Sequence, residues 1–181
     1  MMTLPARARL HLLALGCYGA LAFIVLHALI LANGTHVAGF DYFNYHWNFW
    51  FLRHALQTGI PIYLHDFVFY PALTNQGYHA YAAFWYPLWA LLEPLIGTLS
   101  AFNVIIFLAC ALNGYVLFVW LRREGVLPVL ALLGGIALQT FPIARYWYYN
   151  THINLMNWFW LPLHLLLWSQ TAGAVQARRP L

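Results

Sequence analysis

Residues 80–96 read AYAAFWYPLWALLEPLI, and the way this run meets a membrane decides the organisation of the whole chain. Four other apolar runs surround it, at residues 10–32, 101–121, 126–143 and 153–169. Each is close to the roughly 20 residues that a helix needs to cross a bilayer. Arginines beside a span tend to stay on the cytoplasmic side, so they set its direction. Six of the 8 basic residues fall in three pairs: Arg7 with Arg9, Arg122 with Arg123, and Arg178 with Arg179. If all five runs cross, the second and third pairs land outside. If residues 80–96 stay shallow, every pair lies inside.

The run itself favours the second arrangement. Pro87 and Pro94 each remove a helical hydrogen bond, and Glu93 at mid-bilayer would cost roughly 2.5–3.5 kcal/mol. The sequence therefore predicts an all-α polytopic transmembrane helical bundle with four spanning helices, 10–32, 101–121, 126–143 and 153–169. Both ends are then cytoplasmic. Residues 33–100 become a large outer loop carrying interfacial helices at 42–57 and 80–96, and residues 1–181 form a single transmembrane module.

Composition agrees. Hydrophobic residues make up 64% of the chain and charged residues 7%, against about 25% charged in an average soluble domain. The first apolar run exceeds the roughly 7–15 residues of a signal-peptide core, so it reads as an uncleaved anchor. Basic pairs beside apolar runs are not the continuous stripe of a nucleic-acid binder. Cys17 and Cys110 lie in apolar runs without a C-x-x-C pattern, which argues against a zinc or redox motif. A transporter would need polar groups facing a mid-bilayer cavity, and the clear spans offer mainly Asn113 and a few histidines.

The polar residues collect outside. Asp41, Asp66 and Glu93 lie in the outer loop with His36, His46, His54, His65 and His79. The outer connection 142–157 adds Arg145, Asn150, His152 and Asn154. Phe43, Trp47, Trp50 and Phe51 recur at helical spacing, and Gly59 with Pro61 ends that helix. Asn44 and Asn48 follow Asp41 at i+3 and i+7, which predicts one polar line. Asp41 itself has two readings, a helix N-cap or an active-site carboxylate. His65 and Asp66 are adjacent in an extended stretch, so their side chains point to opposite sides. No H-E-x-x-H or comparable metal signature occurs, and no metal ligands are assigned.

The order of these elements resembles the GT-C superfamily of membrane glycosyltransferases, in the N-terminal part of bacterial members related to protein O-mannosyltransferases and lipid A aminoarabinose transferases. The residues that carry the likeness are Gly39-Phe40-Asp41 and the helix ending Arg53-His54-Ala55-Leu56-Gln57-Thr58-Gly59. Phe69-Tyr70-Pro71, His79, Leu121-Arg122-Arg123-Glu124-Gly125, Phe141-Pro142-Ile143-Ala144-Arg145 and His152-Ile153-Asn154 follow in the same order. The resemblance implies transfer of a sugar from a polyprenyl-phosphate donor to an acceptor on the non-cytoplasmic face of a bacterial plasma membrane. It makes Asp41 and Asp66 candidate catalytic residues and His79, Arg145 and His152 candidate substrate-binding residues. It leaves room for a divalent cation, although Asp41 is followed by Tyr42-Phe43 and not by a second acid. It also implies spans beyond residue 181, so the chain reads as the N-terminal part of a larger protein. Its partners are then membrane lipid, the polyprenyl-phosphate sugar and the remaining transmembrane portion or a partner subunit. The alternative expectation is a non-catalytic membrane subunit or scaffold that presents the outer loop to a partner.

Overall fold

The computed structural model describes residues 5–31, 41–67, 70–75 and 82–177. Seven α-helices occur among them: α1 (Ala6–Leu31), α2 (Tyr42–Thr58), α3 (Tyr86–Ile96), α4 (Thr98–Arg123), α5 (Pro128–Thr140), α6 (Pro142–Tyr149) and α7 (Trp160–Ala177). A two-residue antiparallel bridge joins β1 (Leu64–His65) to β2 (Thr74–Asn75). The fold is all-α, as the sequence predicts.

Two helices, α1 and α4, are long and apolar enough to cross a membrane. The pair α5 and α6 makes a third such path if the two are counted as one, although they meet at 47°. Leucines, valines and aromatics remain exposed along α1, α5 and α7, including Leu13, Ile24, Val129, Leu133, Leu161 and Trp168. Water disfavours such faces and lipid does not. The chain is a membrane protein.

Several predicted boundaries shift, each for a local reason. The run 126–143 is not one helix: it breaks at Phe141, whose backbone is extended (φ −54, ψ 133). Pro142 lacks an amide hydrogen and pushes its predecessor out of the helical region. The run 153–169 becomes helical only at Trp160, because the preceding residues are held in turns by hydrogen bonds from another helix. Helix α2 matches its prediction closely. It ends where Gly59 turns left-handed (φ 73) and its amide donates to Ala55 O, a helix-terminating bond open to glycine at little cost.

Helix α3, with Pro87 in its first turn and Pro94 inside, is 11 residues long, about 16 Å at 1.5 Å per residue. That is roughly half the hydrocarbon thickness of a bilayer. Its acid is also tied sideways: Glu93 Oε2 accepts from Arg53 Nη1 of α2 at 3.0 Å, and Glu93 Oε1 from Thr98 Oγ1 at 3.1 Å. The Arg53 guanidinium lies 4.5 Å over the Trp89 ring. These bonds lock α2 and α3 together.

Helix α4 is the central post, packed against α1, α3, α5 and α7. Tyr18 of α1 is wedged where α4 and α5 come closest. Its hydroxyl donates to Leu132 O at 3.0 Å, and Gln139 Nε2 donates to Tyr18 O at 2.9 Å. Room for the ring comes from Gly114 and Gly135: a β-carbon at either position would run into Tyr18. Overpacking of this kind costs about 1–3 kcal/mol, so Gly135→Ala is expected to lower the midpoint of thermal unfolding in detergent. An unchanged midpoint would show that the three helices do not meet through Tyr18.

Candidate functional site

Asp41 occupies the N-cap position of α2 (φ −87, ψ −3), yet its side chain makes no capping hydrogen bond. The carboxylate is directed elsewhere. Its Oδ2 lies 2.6 Å from Nδ1 of His152, across the gap between α2 and the turns that follow α6. One helical turn later, the hydroxyl of Tyr45 donates to Asn154 Oδ1. Two side-chain bonds thus stitch the first turn of α2 to the segment around residues 152–154.

That segment is held with care. Thr151, fully buried, adopts φ +58, a left-handed conformation that is costly for a β-branched residue and that clusters at functional sites. The His152 amide donates to Trp147 O at 3.1 Å, and the His152 carbonyl accepts from Met156 N at 3.0 Å. The imidazole stands edge-on to Trp147, with ring centres 4.6 Å apart, and nearly parallel to Tyr146 at 6.5 Å. Below it, Asn113 of α4 is fully buried and has every polar atom in use. Its Nδ2 donates to the Tyr148 hydroxyl and to Met156 O at 2.8 Å, and its Oδ1 accepts from Phe159 N at 2.7 Å. The Asp41 and His152 side chains remain 36% and 22% exposed, open enough for a small group to reach.

The other residues singled out from sequence lie differently. Arg145 is exposed on α6 and sits 5.9 Å over the Tyr149 ring, and among the described residues no ion pair joins it to Asp41. Asp66 is half-buried beyond β1 and is not brought to Asp41, His152 or Arg145 by any hydrogen bond or ion pair. Its charge acts on His65, which is buried against Trp47 and Phe51. His79 lies outside the described residues, as do Gly39, Phe40 and Phe69. The expected polar line along α2 is only partly formed. Asn44 is half-buried, while Asn48 is fully buried with neither side-chain polar atom bonded. Sequence reasoning marked one aromatic face of α2, but a second, Tyr42, Tyr45 and Phe49, is the one sunk into the main core.

Protonation follows from burial. Tyr42 is pushed up to about 12 by loss of water, and Tyr45 is raised by burial and then by the Asp41 charge. Both phenols stay protonated and can only donate or accept hydrogen bonds. His46 and His65 are lowered by burial, an effect that Glu93 and Asp66 respectively oppose. Neither is a ready cation at neutral pH.

No family model, characterised protein or solved structure matches this chain. The chemistry of the site therefore rests on geometry alone. No group of three or more His, Cys, Asp or Glu side chains placed to hold a metal ion occurs among the described residues. Asp41 and His152 are engaged with each other. What the pair can do is move a proton. A carboxylate on Nδ1 fixes the imidazole tautomer and leaves Nε2 as the basic atom.

Tyr45 and Asn113, which are not among the sequence-predicted site residues, bond the segment that carries His152. Tyr45 lies four residues after Asp41, on the same helical face. Asn113 is one of two amides, with Asn103, in a long apolar run, where an unpaired polar group is expensive.

Proposed function

We propose that this chain is a module of a membrane glycosyltransferase that moves a sugar from a polyprenyl-phosphate donor to an acceptor hydroxyl at the non-cytoplasmic face. The observation that carries this reading is the 2.6 Å pairing of Asp41 with His152 at a partly open site. Asp41 holds the Nδ1–H tautomer of His152, and Nε2 takes the proton from the acceptor. The acceptor oxygen then bonds to the anomeric carbon while the carbon–oxygen bond to the phosphate breaks. The electron pair leaves with the polyprenyl phosphate. Arg145, on α6 nearby in sequence, and His79 are the donors proposed for the developing negative charge, which is where such enzymes gain most.

In this reading α1, α4, α5 and α7 are the four spans. Helix α7, with 18 residues, is about 27 Å long, near the bilayer core thickness. Helices α2 and α3 lie along the outer interface, and the N-terminus is cytoplasmic. Arg7, Arg122 and Arg123 line one cleft, which puts those residues at a shared end of the bundle and agrees with the positive-inside tendency.

Two measurements test the proposal. Membranes containing the full protein are supplied with a panel of polyprenyl-phosphate-linked sugars, and one is expected to be consumed with release of the polyprenyl phosphate. Turnover no greater than in membranes lacking the protein defeats the assignment. Cysteines placed at Asn75 and Glu124 are expected to react with an impermeant maleimide from opposite sides; labelling of both from one side removes the topology.

A further inference from the structure

The end of the bundle opposite in character to the Asp41–His152 site carries a cleft of about 860 Å³ where α1, α4 and α7 meet. Arg7, His11, Arg122, Arg123 and Gln170 supply its polar lining, and Leu10, Val119 and Leu166 its apolar lining. These residues come from three helices far apart in sequence, so tertiary packing and not one basic stretch creates the concentration of charge.

Among the described residues no acid is paired with Arg7, Arg122 or Arg123: the two ion pairs are Arg53 with Glu93 and His152 with Asp41. Arg122 is instead oriented by its own turn, donating from Nη1 to Val126 O. His11 is fixed by a 3.3 Å contact of Nδ1 with the Tyr115 hydroxyl and packs edge-on against Phe118 at 5.8 Å. Glu124, the nearest acid in sequence, is exposed and does not line the cleft. Arginines at the end of α4 also suit its helix dipole, but that explains neither Arg7 nor the apolar wall.

We infer that this cleft binds the phosphodiester of an anionic phospholipid in the leaflet it faces. The guanidinium groups match phosphate oxygens with paired donors, Gln170 adds a neutral donor, and the leucine and valine wall accepts the glycerol and upper acyl chain. A basic pocket between membrane helices is a recurrent way to seat such headgroups. The inference is independent of any transfer reaction at the other end.

The test uses the full chain in nanodiscs made from equal parts of phosphatidylcholine and phosphatidylglycerol with matched acyl chains. Lipid retained after gentle extraction is counted by native mass spectrometry. Phosphatidylglycerol is expected to be enriched on the protein. Arg7→Gln and Arg123→Gln, both exposed side chains whose loss leaves the core intact, are each expected to reduce that enrichment about five-fold. Arg9→Gln, an equal change in charge at a position outside the cleft lining, is expected to leave it in place. Equal retention of the two lipids overturns the inference, as does an equal loss in Arg9→Gln, which would mean diffuse surface charge. Displacement of the lipid by inorganic phosphate at equimolar concentration also overturns it, because the apolar wall would then contribute nothing.

Discussion

Asp41→Asn is expected to lower sugar transfer by about 10²–10⁴-fold, the usual contribution of a positioned proton-transfer group, with the protein still folded and inserted. The change keeps the shape of the side chain but removes the charge that holds His152 in its Nδ1–H tautomer across 2.6 Å. His152→Gln is expected to lose a similar factor. The double variant is expected to fall little further, since two residues acting as one proton-moving unit are not additive. Losses that multiply would mean that Asp41 and His152 act separately. Full activity in Asp41→Asn would remove both from the mechanism. A merely structural role for Asp41 predicts the opposite pattern: because its side chain does not cap α2, the asparagine would be tolerated at the N-cap.

The second large effect belongs to a residue outside the site. Asn113→Leu is expected to destabilise the protein by about 2–4 kcal/mol, because it strands Met156 O and Phe159 N in a buried region. Asn113 also bonds Tyr148 directly, so the same change loosens both flanks of the turn that carries His152. Transfer is therefore expected to fall together with thermal stability. The two readouts separate the explanations. A protein that melts earlier yet transfers normally would show that residues 150–159 find their position without Asn113. One that melts as the wild type does would show that the clamp contributes nothing.

Much of the helical layout was legible in the chain itself. The 2.6 Å pair and the 3.0 Å Arg53–Glu93 bond were not. Residues 42–58 contain neither glycine nor proline before Gly59, so the extent of α2 follows from backbone preference alone. Its buried face does not. Aromatic side chains stand on several sides of α2, and periodicity cannot choose between two apolar faces; packing on Trp89 and Phe102 chose the one with Phe49. Proline gave a local warning at Phe141, which a count of apolar residues over 126–143 passed over. The late start of α7 had a local signal in Pro162, which suits a first helical turn, and residues 153–159 are further held by bonds from Asn113 of α4.

The amino-acid order determined that this is a helical membrane protein, because long apolar runs act locally on a chain meeting lipid. It also placed Glu93 and two prolines in the run 80–96, of which the structure makes only Tyr86–Ile96 an α-helix. Tertiary structure alone decided which polar groups meet. Asp41 with His152 and Tyr45 with Asn154 are partners across long stretches of chain, and Arg7 shares one cleft with Arg122 and Arg123. No local rule encodes such encounters: they exist because α4 stands in the middle, with Tyr18 fitted against Gly114 and Asn113 holding Met156 and Phe159.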